Sequence, residues 1–283
     1  MYPAPFEYHR PTSLDEAVAL LAQHADDGKL IAGGHSLLPV MKLRFAQPAH
    51  LIDIRRVSEL AGIREESGVL RIGAATTHAA LAASDVIRAR ALVLAEAASR
   101  IGDAQVRNMG TIGGSLAHAD PTADLPAVTL ALGAELRAVG RGGARTIPID
   151  GFFTGMFSSA LAPDEVLVEV RVPVLPARTG AAYEKYPDPA SGYALVGVAA
   201  LVRLGDGTVQ SARVAMTGLA PHPVRLPGVE TALTGTAATF EQIDSAAQRA
   251  GDNLDLTGDV EYRKNLAAVY TRRALLRAME RAR

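Results

Sequence analysis

Two short segments of the sequence combine paired glycines with a following hydroxyl side chain, a pattern suited to binding phosphate. The first is Ala32-Gly33-Gly34-His35-Ser36 and the second is Thr111-Ile112-Gly113-Gly114-Ser115. Glycine has no Cβ atom, so its backbone can adopt positive φ and its N–H groups can approach a phosphate directly. The adjoining hydroxyl groups can donate hydrogen bonds to phosphate oxygens. One such segment is weak evidence for a ligand, but two in one chain predict a diphosphate bound between them.

The common nucleotide-binding fingerprints are missing from the sequence. The run Gly140-Arg141-Gly142-Gly143-Ala144-Arg145 has arginine where a Gly-x-Gly-x-x-Gly motif needs its third glycine, and no Gly-x-x-x-x-Gly-Lys-Ser/Thr run occurs. A dinucleotide bound by this chain would therefore be held in a way that differs from the Rossmann fold and the P-loop.

The composition excludes several classes of function. The chain has 29 Lys and Arg against 30 Asp and Glu, a net charge of −1, so it lacks the basic surface typical of nucleic-acid binding. It has no cysteine, which excludes an iron–sulfur cluster, a thiolate zinc site or a thiol nucleophile of its own. His118 lies beside Asp120, but the sequence offers no third ligand at a spacing typical of metal sites. We therefore expect no bound metal and no nucleic-acid partner.

The sequence around the two glycine segments, which must position them, predicts an α+β chain of three parts. The 283 residues correspond to about two domains at roughly 150 residues each. A helix after Ser13 and two short apolar strands predict a first α/β unit over residues 1–57, and strands and helices continue through residues 58–175. Prolines and glycines near residue 176 mark a boundary. Beyond it, residues 176–283 predict a three-stranded sheet followed by helices.

No segment of the sequence predicts export or membrane insertion. The first residues lack a basic and apolar leader, and the longest apolar run, Tyr193–Val202, is too short to span a bilayer. We therefore expect a cytoplasmic protein.

The two glycine segments, with Asp120-Pro121-Thr122-Ala123-Asp124-Leu125-Pro126 and Ala182-Tyr183-Glu184-Lys185, closely resemble the FAD-binding medium subunits of the molybdenum hydroxylases. That family includes the carbon monoxide and xanthine dehydrogenases, and the resemblance extends over essentially the whole chain. It implies the FAD-binding fold of the vanillyl-alcohol oxidase type, with two α/β subdomains and a C-terminal domain. Ser115 departs from the family pattern, in which asparagine is common, but both side chains can bind phosphate.

The resemblance also implies which residues contact the cofactor. The diphosphate would lie between Ala32–Ser36 and Thr111–Ser115, with Asp124 reaching the adenosine side. Ile101 and Tyr193 would flank the isoalloxazine ring, while Lys185 and the backbone at Leu167 would contact its polar edge.

Each of these assignments has a simpler structural alternative. His35 could form a hydrogen bond within its turn, and Asp124 could only cap a helix after Pro121. Tyr193 could be an ordinary strand residue that covers the core, and Lys185 could be a solvated charge.

The function implied by the resemblance is electron transfer through FAD. Electrons would leave a substrate at the molybdenum cofactor of a large subunit, cross the [2Fe-2S] clusters of a small subunit, and pass through FAD to an external acceptor. The family forms dimers of heterotrimers, and a peripheral membrane association of the complex is left open. The His35–Pro39 version of the first segment favours carbon monoxide dehydrogenase. Medium subunits of aldehyde, nicotine-type heterocycle or xanthine dehydrogenases are the alternatives, beside a stand-alone flavin oxidase and an assembly subunit without flavin.

Overall fold

Three β-sheets with helices packed against them make up the protein, as described by a computed structural model of residues 1–252, 254, 256 and 258–283. The predicted α+β fold class is confirmed. The three sheets follow one another along the chain; the first glycine pair lies between strands of the first sheet, and the second pair lies between strands of the second sheet.

The first sheet has three parallel strands, in the order β1-β3-β2. Its elements are β1 (Glu7–His9), α1 (Leu14–Gln23), β2 (Gly28–Ile31), α2 (Leu37–Lys42) and β3 (His50–Asp53). The helix α1 begins at Ser13, whose hydroxyl accepts a hydrogen bond from the Glu16 backbone N–H at 3.2 Å. Strand β2 ends at Ile31, so the first glycine pair follows directly at the carboxyl end of this edge strand.

The second sheet is antiparallel, in the order β4-β5-β10-β6-β7. Its strands and helices, with a small two-stranded ribbon (β8 and β9), are β4 (Ile63–Glu66), β5 (Val69–Gly73), α3 (His78–Ala83), α4 (Asp85–Arg90), α5 (Leu92–Ser99), α6 (Ala104–Met109), α7 (Ile112–His118), α8 (Asp124–Leu132), β6 (Glu135–Gly140), β7 (Gly143–Pro148), β8 (Phe153–Gly155), β9 (Ser158–Ser159) and β10 (Val166–Pro173). The alanine- and leucine-rich sequence of residues 86–100 predicts one helix, but the chain forms two, α4 and α5, because Ala91 leaves helical geometry with φ −151°.

The second glycine segment differs from the loop that its composition predicts. It forms the start of α7, in which the Thr111 side chain caps the helix by accepting a hydrogen bond from the Gly114 N–H at 3.1 Å. Gly113 and Gly114 therefore lie in the first turn of a helix.

The third sheet has four strands, in the order β11-β12-β13-β14, where the sequence predicts three. Its elements are β11 (Thr179–Pro187), β12 (Ala194–Gly205), β13 (Thr208–Thr217), β14 (Val224–Arg225), α9 (Pro227–Leu233), α10 (Phe240–Ala247) and α11 (Val260–Ala282). The additional strand β14 has only two residues, too few to show an alternating pattern. Helix α11 packs closely on β11: a Cβ atom at Gly180 would lie 2.0 Å from the Ala278 carbonyl oxygen. No helix in the described ranges is long and apolar enough to cross a bilayer.

Candidate functional site

A cleft of about 760 Å³ opens between the first sheet, the helices α6 to α8, the start of β10 and the turn between β11 and β12. This volume is in the range of small-molecule and cofactor sites. All of the residues predicted to bind the cofactor line this cleft except Lys185: Ala32, Gly33, Gly34, His35, Ser36, Ile101, Thr111, Gly113, Gly114, Ser115, Asp124, Leu167 and Tyr193. The structure thus brings together residues that lie up to 161 positions apart.

The first glycine segment presents a row of free backbone donors to the cleft. Within the described part of the chain, the N–H groups of Gly33, Gly34, His35 and Ser36 donate to no protein acceptor. Gly34 has φ +75°, which favours glycine at this turn. The Ser36 hydroxyl makes no capping bond to α2 and is available to a ligand. Consecutive free N–H groups of this kind bind anions such as phosphate.

Gly33 is required by the contact between the two glycine segments. A Cβ atom at this position would lie 2.3 Å from the Met109 carbonyl oxygen and 2.7 Å from the Gly110 Cα atom. Any larger residue would therefore force the first segment away from the turn between α6 and α7. Glycine is needed at position 33 because the backbone of Met109 and Gly110 occupies the space that a side chain would take.

The second segment contributes hydroxyl groups more than free N–H groups. The Gly113 N–H donates to the Ala74 carbonyl oxygen at 2.8 Å, and the Ser115 N–H donates to the Thr111 carbonyl oxygen at 3.0 Å. A Cβ atom at Gly113 would lie 2.5 Å from the Ala74 Cβ atom, so this glycine serves packing. Gly114 is exposed, and a Cβ atom there would meet only the Thr111 hydroxyl oxygen, at 2.8 Å. A side chain at Gly114 would therefore enter the cleft.

Asp124 lies at the first residue of α8 and is paired with residues of the third sheet. Its carboxylate accepts hydrogen bonds from the Tyr183 hydroxyl and, at 2.9 Å, from the Lys185 ammonium group. Burial raises the pKa of Asp124, while the Lys185 ammonium and the Tyr183 hydroxyl act in the opposite direction. Lys185 lies behind Asp124 and is itself buried, so it is not the solvated charge considered above. Its contact with a flavin ring stays a prediction.

Tyr193 is presented to the cleft by a tight turn. The Asp188 carboxylate accepts hydrogen bonds from the N–H groups of Ala190 and Ser191, at 3.0 and 2.8 Å, and from the Ser191 hydroxyl at 2.9 Å. The Asp188 N–H in turn donates to the Tyr193 carbonyl oxygen at 2.7 Å. Tyr193 is half exposed, which leaves its aromatic ring accessible to a ligand.

His78 lines the cleft but is not among the residues predicted from the sequence. It is the first residue of α3, directly beneath Gly110, where a Cβ atom would lie 2.8 Å from the imidazole Cδ2 atom. Its Nδ1 atom is buried without a hydrogen-bond partner in the described structure. Burial lowers the pKa of His78 to about 4, so the side chain is neutral at pH 7. An isolated histidine after Thr77 gives no motif from which this position could be recognised.

The segment 157–163, from the small ribbon toward β10, also lines the cleft and was not predicted. Phe157 has φ +51°, and its ring lies 5.1 Å from that of His118. The segment carries neither glycine pairs nor charged side chains, so its sequence does not distinguish it from an ordinary surface connection.

These residues fit a ligand with a diphosphate and a flat aromatic ring. The free N–H groups and hydroxyls supply donors for the phosphates, and Ile101, Leu167 and Tyr193 supply apolar and aromatic surface. The cleft therefore meets the main chemical requirements of FAD.

Comparisons with known proteins agree with this geometry. Residues 4–175 match the model of the FAD binding domain in molybdopterin dehydrogenase, and residues 181–278 match that of the CO dehydrogenase flavoprotein C-terminal domain. The chain is 47% identical to the carbon monoxide dehydrogenase medium chain of Hydrogenophaga pseudoflava, with 99% of each chain covered. It is 39% identical to subunit alpha of the 6-hydroxypseudooxynicotine dehydrogenase complex of Paenarthrobacter nicotinovorans, covering 100% of this chain and 97% of the relative.

A solved structure shows the same fold over the full length. Carbon monoxide dehydrogenase from Hydrogenophaga pseudoflava, in a form that lacks the Mo-pyranopterin moiety of its cofactor, contains a chain that superposes with a TM-score of 0.96 at 48% identity, with 99% of each chain covered. The fold, the cleft and both family models agree, and the chain belongs to the FAD-binding medium subunits of the molybdopterin dehydrogenases.

Proposed function

We propose that this chain is the electron-transfer flavoprotein subunit of a heterotrimeric molybdenum hydroxylase of the carbon monoxide dehydrogenase type. The observation that carries the proposal is the full-length similarity to a carbon monoxide dehydrogenase medium chain at 47% identity. The cleft supports it, because residues 33–36, whose N–H groups donate to no acceptor within the described residues, line it together with the hydroxyl-bearing second segment.

The cofactor supplies the redox chemistry when bound, and the chain supplies position and electrostatics. The N–H groups of residues 33–36 would hold the diphosphate, with hydroxyl donors from Ser36, Thr111 and Ser115. Asp124, fixed by Lys185 and Tyr183, would keep one carboxylate face toward the adenosine side. Tyr193 and Ile101 would flank the isoalloxazine ring and limit its contact with water, while Lys185 and the backbone at Leu167 would contact its polar edge.

The assembly proposed for this subunit places the other redox centres on partner chains. A chain without cysteine cannot bind [2Fe-2S] clusters through thiolates, so these would lie on a small subunit, and the molybdenum cofactor on a large subunit. We propose a dimer of such heterotrimers in the cytoplasm. Size-exclusion chromatography with light scattering tests the stoichiometry, and cell fractionation distinguishes a free complex from one attached peripherally to the membrane.

The proposed subunit is divided into three regions. We propose boundaries near residues 57/58 and 175/176, with two FAD-binding subdomains and a C-terminal domain. Supporting the second boundary, the family models end and begin at residues 175 and 181.

Carbon monoxide is the substrate that we propose for the complex. Supporting it, identity is higher to the carbon monoxide dehydrogenase medium chain, at 47%, than to the nicotine-pathway relative, at 39%. Hydroxylation of an N-heterocycle is the second candidate, because that relative also covers the full chain.

The experiment that tests the function is purification of the native complex, followed by an absorption spectrum and acid precipitation. We expect FAD in the supernatant, iron–sulfur absorbance and two co-purifying chains. We also expect the complex to reduce an artificial acceptor with carbon monoxide. A colourless single chain would contradict the flavoprotein assignment. Activity with an N-heterocycle but not with carbon monoxide would support the second candidate substrate. A single yellow chain that oxidises a substrate by itself would indicate a stand-alone flavin oxidase.

A further inference from the structure

Three histidines from separate parts of the sequence meet at the first sheet, on elements other than the glycine segments. His50 begins the central strand β3, His9 ends the neighbouring strand β1, and His24 caps the C-terminal end of α1. Strand β1 pairs with β3 so that Glu7 lies opposite His50 and His9 lies opposite Ile52. Because side chains alternate along a strand, Glu7, His9 and His50 share one face of the sheet.

Gly28 makes room for the third histidine. It lies opposite His50 on the other neighbouring strand, β2, and its N–H is bonded to the His24 carbonyl oxygen. A Cβ atom at Gly28 would lie 2.9 Å from the His24 Cβ atom. A side chain there would therefore displace His24, whose ring lies over that of His50 with centroids 3.6 Å apart.

The nitrogen atoms of this cluster are close enough to share one metal ion. One ring nitrogen from each of His9, His24 and His50 lies within 4.8 Å of the other two. The His9 Nε2 and His50 Nδ1 atoms are 3.0 Å apart. Two nitrogen ligands of a tetrahedral zinc ion, each about 2.0–2.1 Å from the metal, are themselves about 3.4 Å apart. The His24 and His50 rings are stacked with an interplanar angle of 24°, so metal binding would require these partly buried rings to rotate until their nitrogen lone pairs converge on the ion.

Carboxylates complete the surroundings of the cluster. The Glu7 Oε2 atom lies 3.5 Å from His50 Nδ1, on the side that faces His9. The Asp27 Oδ2 atom lies 4.0 Å from the other nitrogen, His50 Nε2. Metal-binding histidines commonly donate their second N–H to a carboxylate, which fixes the ring and increases its basicity. Neither carboxylate belongs to the group of atoms that all lie within 4.8 Å of one another, so Glu7 and Asp27 are placed as positioning residues and water would supply the fourth ligand.

We propose that His9, His24 and His50 form a binding site for a divalent transition-metal ion, and that this ion is zinc. Three imidazoles and one water suit zinc, whereas calcium and magnesium prefer oxygen ligands. The site would join α1, β1 and β3 of the first sheet. It lies at the amino end of β2, and the first glycine segment follows the carboxyl end of the same strand. The ion would therefore stabilise the unit that presents this segment, without entering the cleft.

Zinc binding to the full chain, purified with its flavin and treated with a chelator, tests this proposal. We expect saturable binding of one Zn²⁺ per chain by isothermal titration calorimetry, with an increase in Tm because the ion binds the folded state. Replacement by Co²⁺ should give the visible absorption of a tetrahedral site, to the red of the flavin bands. The absence of saturable binding at one ion per chain would overturn the proposal.

Substitutions distinguish the site from adventitious binding. Changes in residues beside the ligands commonly reduce metal affinity about 10–100-fold, so we expect about 10-fold for Asp27→Asn and at least about 100-fold for His24→Gln or His9→Gln. The matched control is His222→Gln, because among the described residues His222 is hydrogen-bonded only to its neighbour Pro223, at 3.0 Å; this change should leave zinc affinity unchanged. Flavin content confirms that each variant is folded. Equal affinity in the wild type and both cluster variants would show that the histidines do not bind the metal.

Discussion

Among single residues, Gly114 is the position where a side chain can test the cleft without disturbing the core. Its neighbour Gly113 packs against Ala74, so a substitution there would change packing and ligand binding together. Gly114 has open space beyond the Thr111 hydroxyl. The two adjacent glycines therefore have different tasks, which their shared motif does not reveal.

We expect Gly114→Asp to abolish flavin retention while the protein stays folded. The new carboxylate would enter the cleft and repel the diphosphate. The measurement is the ratio of flavin to protein absorbance after gel filtration, with far-UV circular dichroism as the test of folding. The control is Gly142→Asp, since a Cβ atom at Gly142 has no heavy atom within 4 Å. Full flavin content in a folded Gly114→Asp protein would contradict phosphate binding by these two segments.

His78 gives the free energy of unfolding a specific pH dependence. Its pKa is lowered by burial from 6.5 to about 4, so between these values the unfolded chain binds a proton that the folded chain does not. Stability therefore rises with pH across this window and is lost as the pH falls through it. The shift of about 2.5 units corresponds to a loss on the order of 3 kcal/mol at pH 4.

We expect this loss to be absent in His78→Gln. Urea unfolding of both proteins at several pH values between 4 and 7 isolates the contribution of His78, because the other titrating groups are common to the two. The stability difference between wild type and variant should shrink or reverse toward pH 4. Parallel curves for the two proteins would show that His78 is not buried in its neutral form.

The turn before β12 is an element whose internal hydrogen bonds act on the cleft. Asp188 accepts three hydrogen bonds within the turn, and the turn fixes the position of Tyr193. Asp188 itself does not line the cleft. Removing its carboxylate should therefore affect a flavin only through the position of Tyr193.

We expect Asp188→Ala to retain FAD but to change its absorption spectrum and its rate of reduction in the same direction as Tyr193→Ala. Stopped-flow reduction of the complex measures the rate, and the flavin content serves as the test of binding. Asp206→Gly, in the hairpin between β12 and β13, is a matched change in another turn and should leave both unchanged. If Tyr193→Ala and Asp188→Ala both behave as wild type, Tyr193 does not contact the flavin ring.

The elements also show what the sequence can and cannot predict. The short runs 29–32 and 51–54 predict strands from their apolar residues, and β2 and β3 lie within one residue of these positions. The start of α7 could not be recognised, because glycine has low helix propensity and only the contact with Ala74 explains its presence in the first turn. The residues of the cleft were predicted mainly through the family resemblance. His78 and the segment 157–163 carry no motif and required the fold.

At the scale of the whole molecule, the Asp124–Lys185 pair connects α8 of the second region to β11 of the third. The two residues are 61 positions apart in the sequence, and both side chains are buried. Other ion pairs between these regions, such as Arg281 with Glu96, are partly exposed and contribute less. Breaking a buried pair leaves an uncompensated charge and commonly costs about 3–5 kcal/mol.

We expect Lys185→Met to lower the free energy of unfolding by about 3 kcal/mol, measured by urea denaturation at saturating FAD. Asp124→Asn alone should also destabilise the protein, but the double variant should lose less than the sum of the two single losses, because no unpaired charge is left. Lys42→Met, at an exposed position in α2, is the control for loss of a lysine and should have little effect. Strictly additive losses would show that the two side chains do not depend on each other.

The same pair limits how relatives of this chain can exchange parts. A hybrid gene that joined the first 175 residues of one relative to the C-terminal region of another would bring Asp124 and position 185 from different parents. If the second parent lacked a lysine there, the hybrid would bury a carboxylate without its cation, beside the adenosine side of the proposed flavin site. Successful recombination within the family should therefore inherit both positions together, although the family models assign them to separate domains.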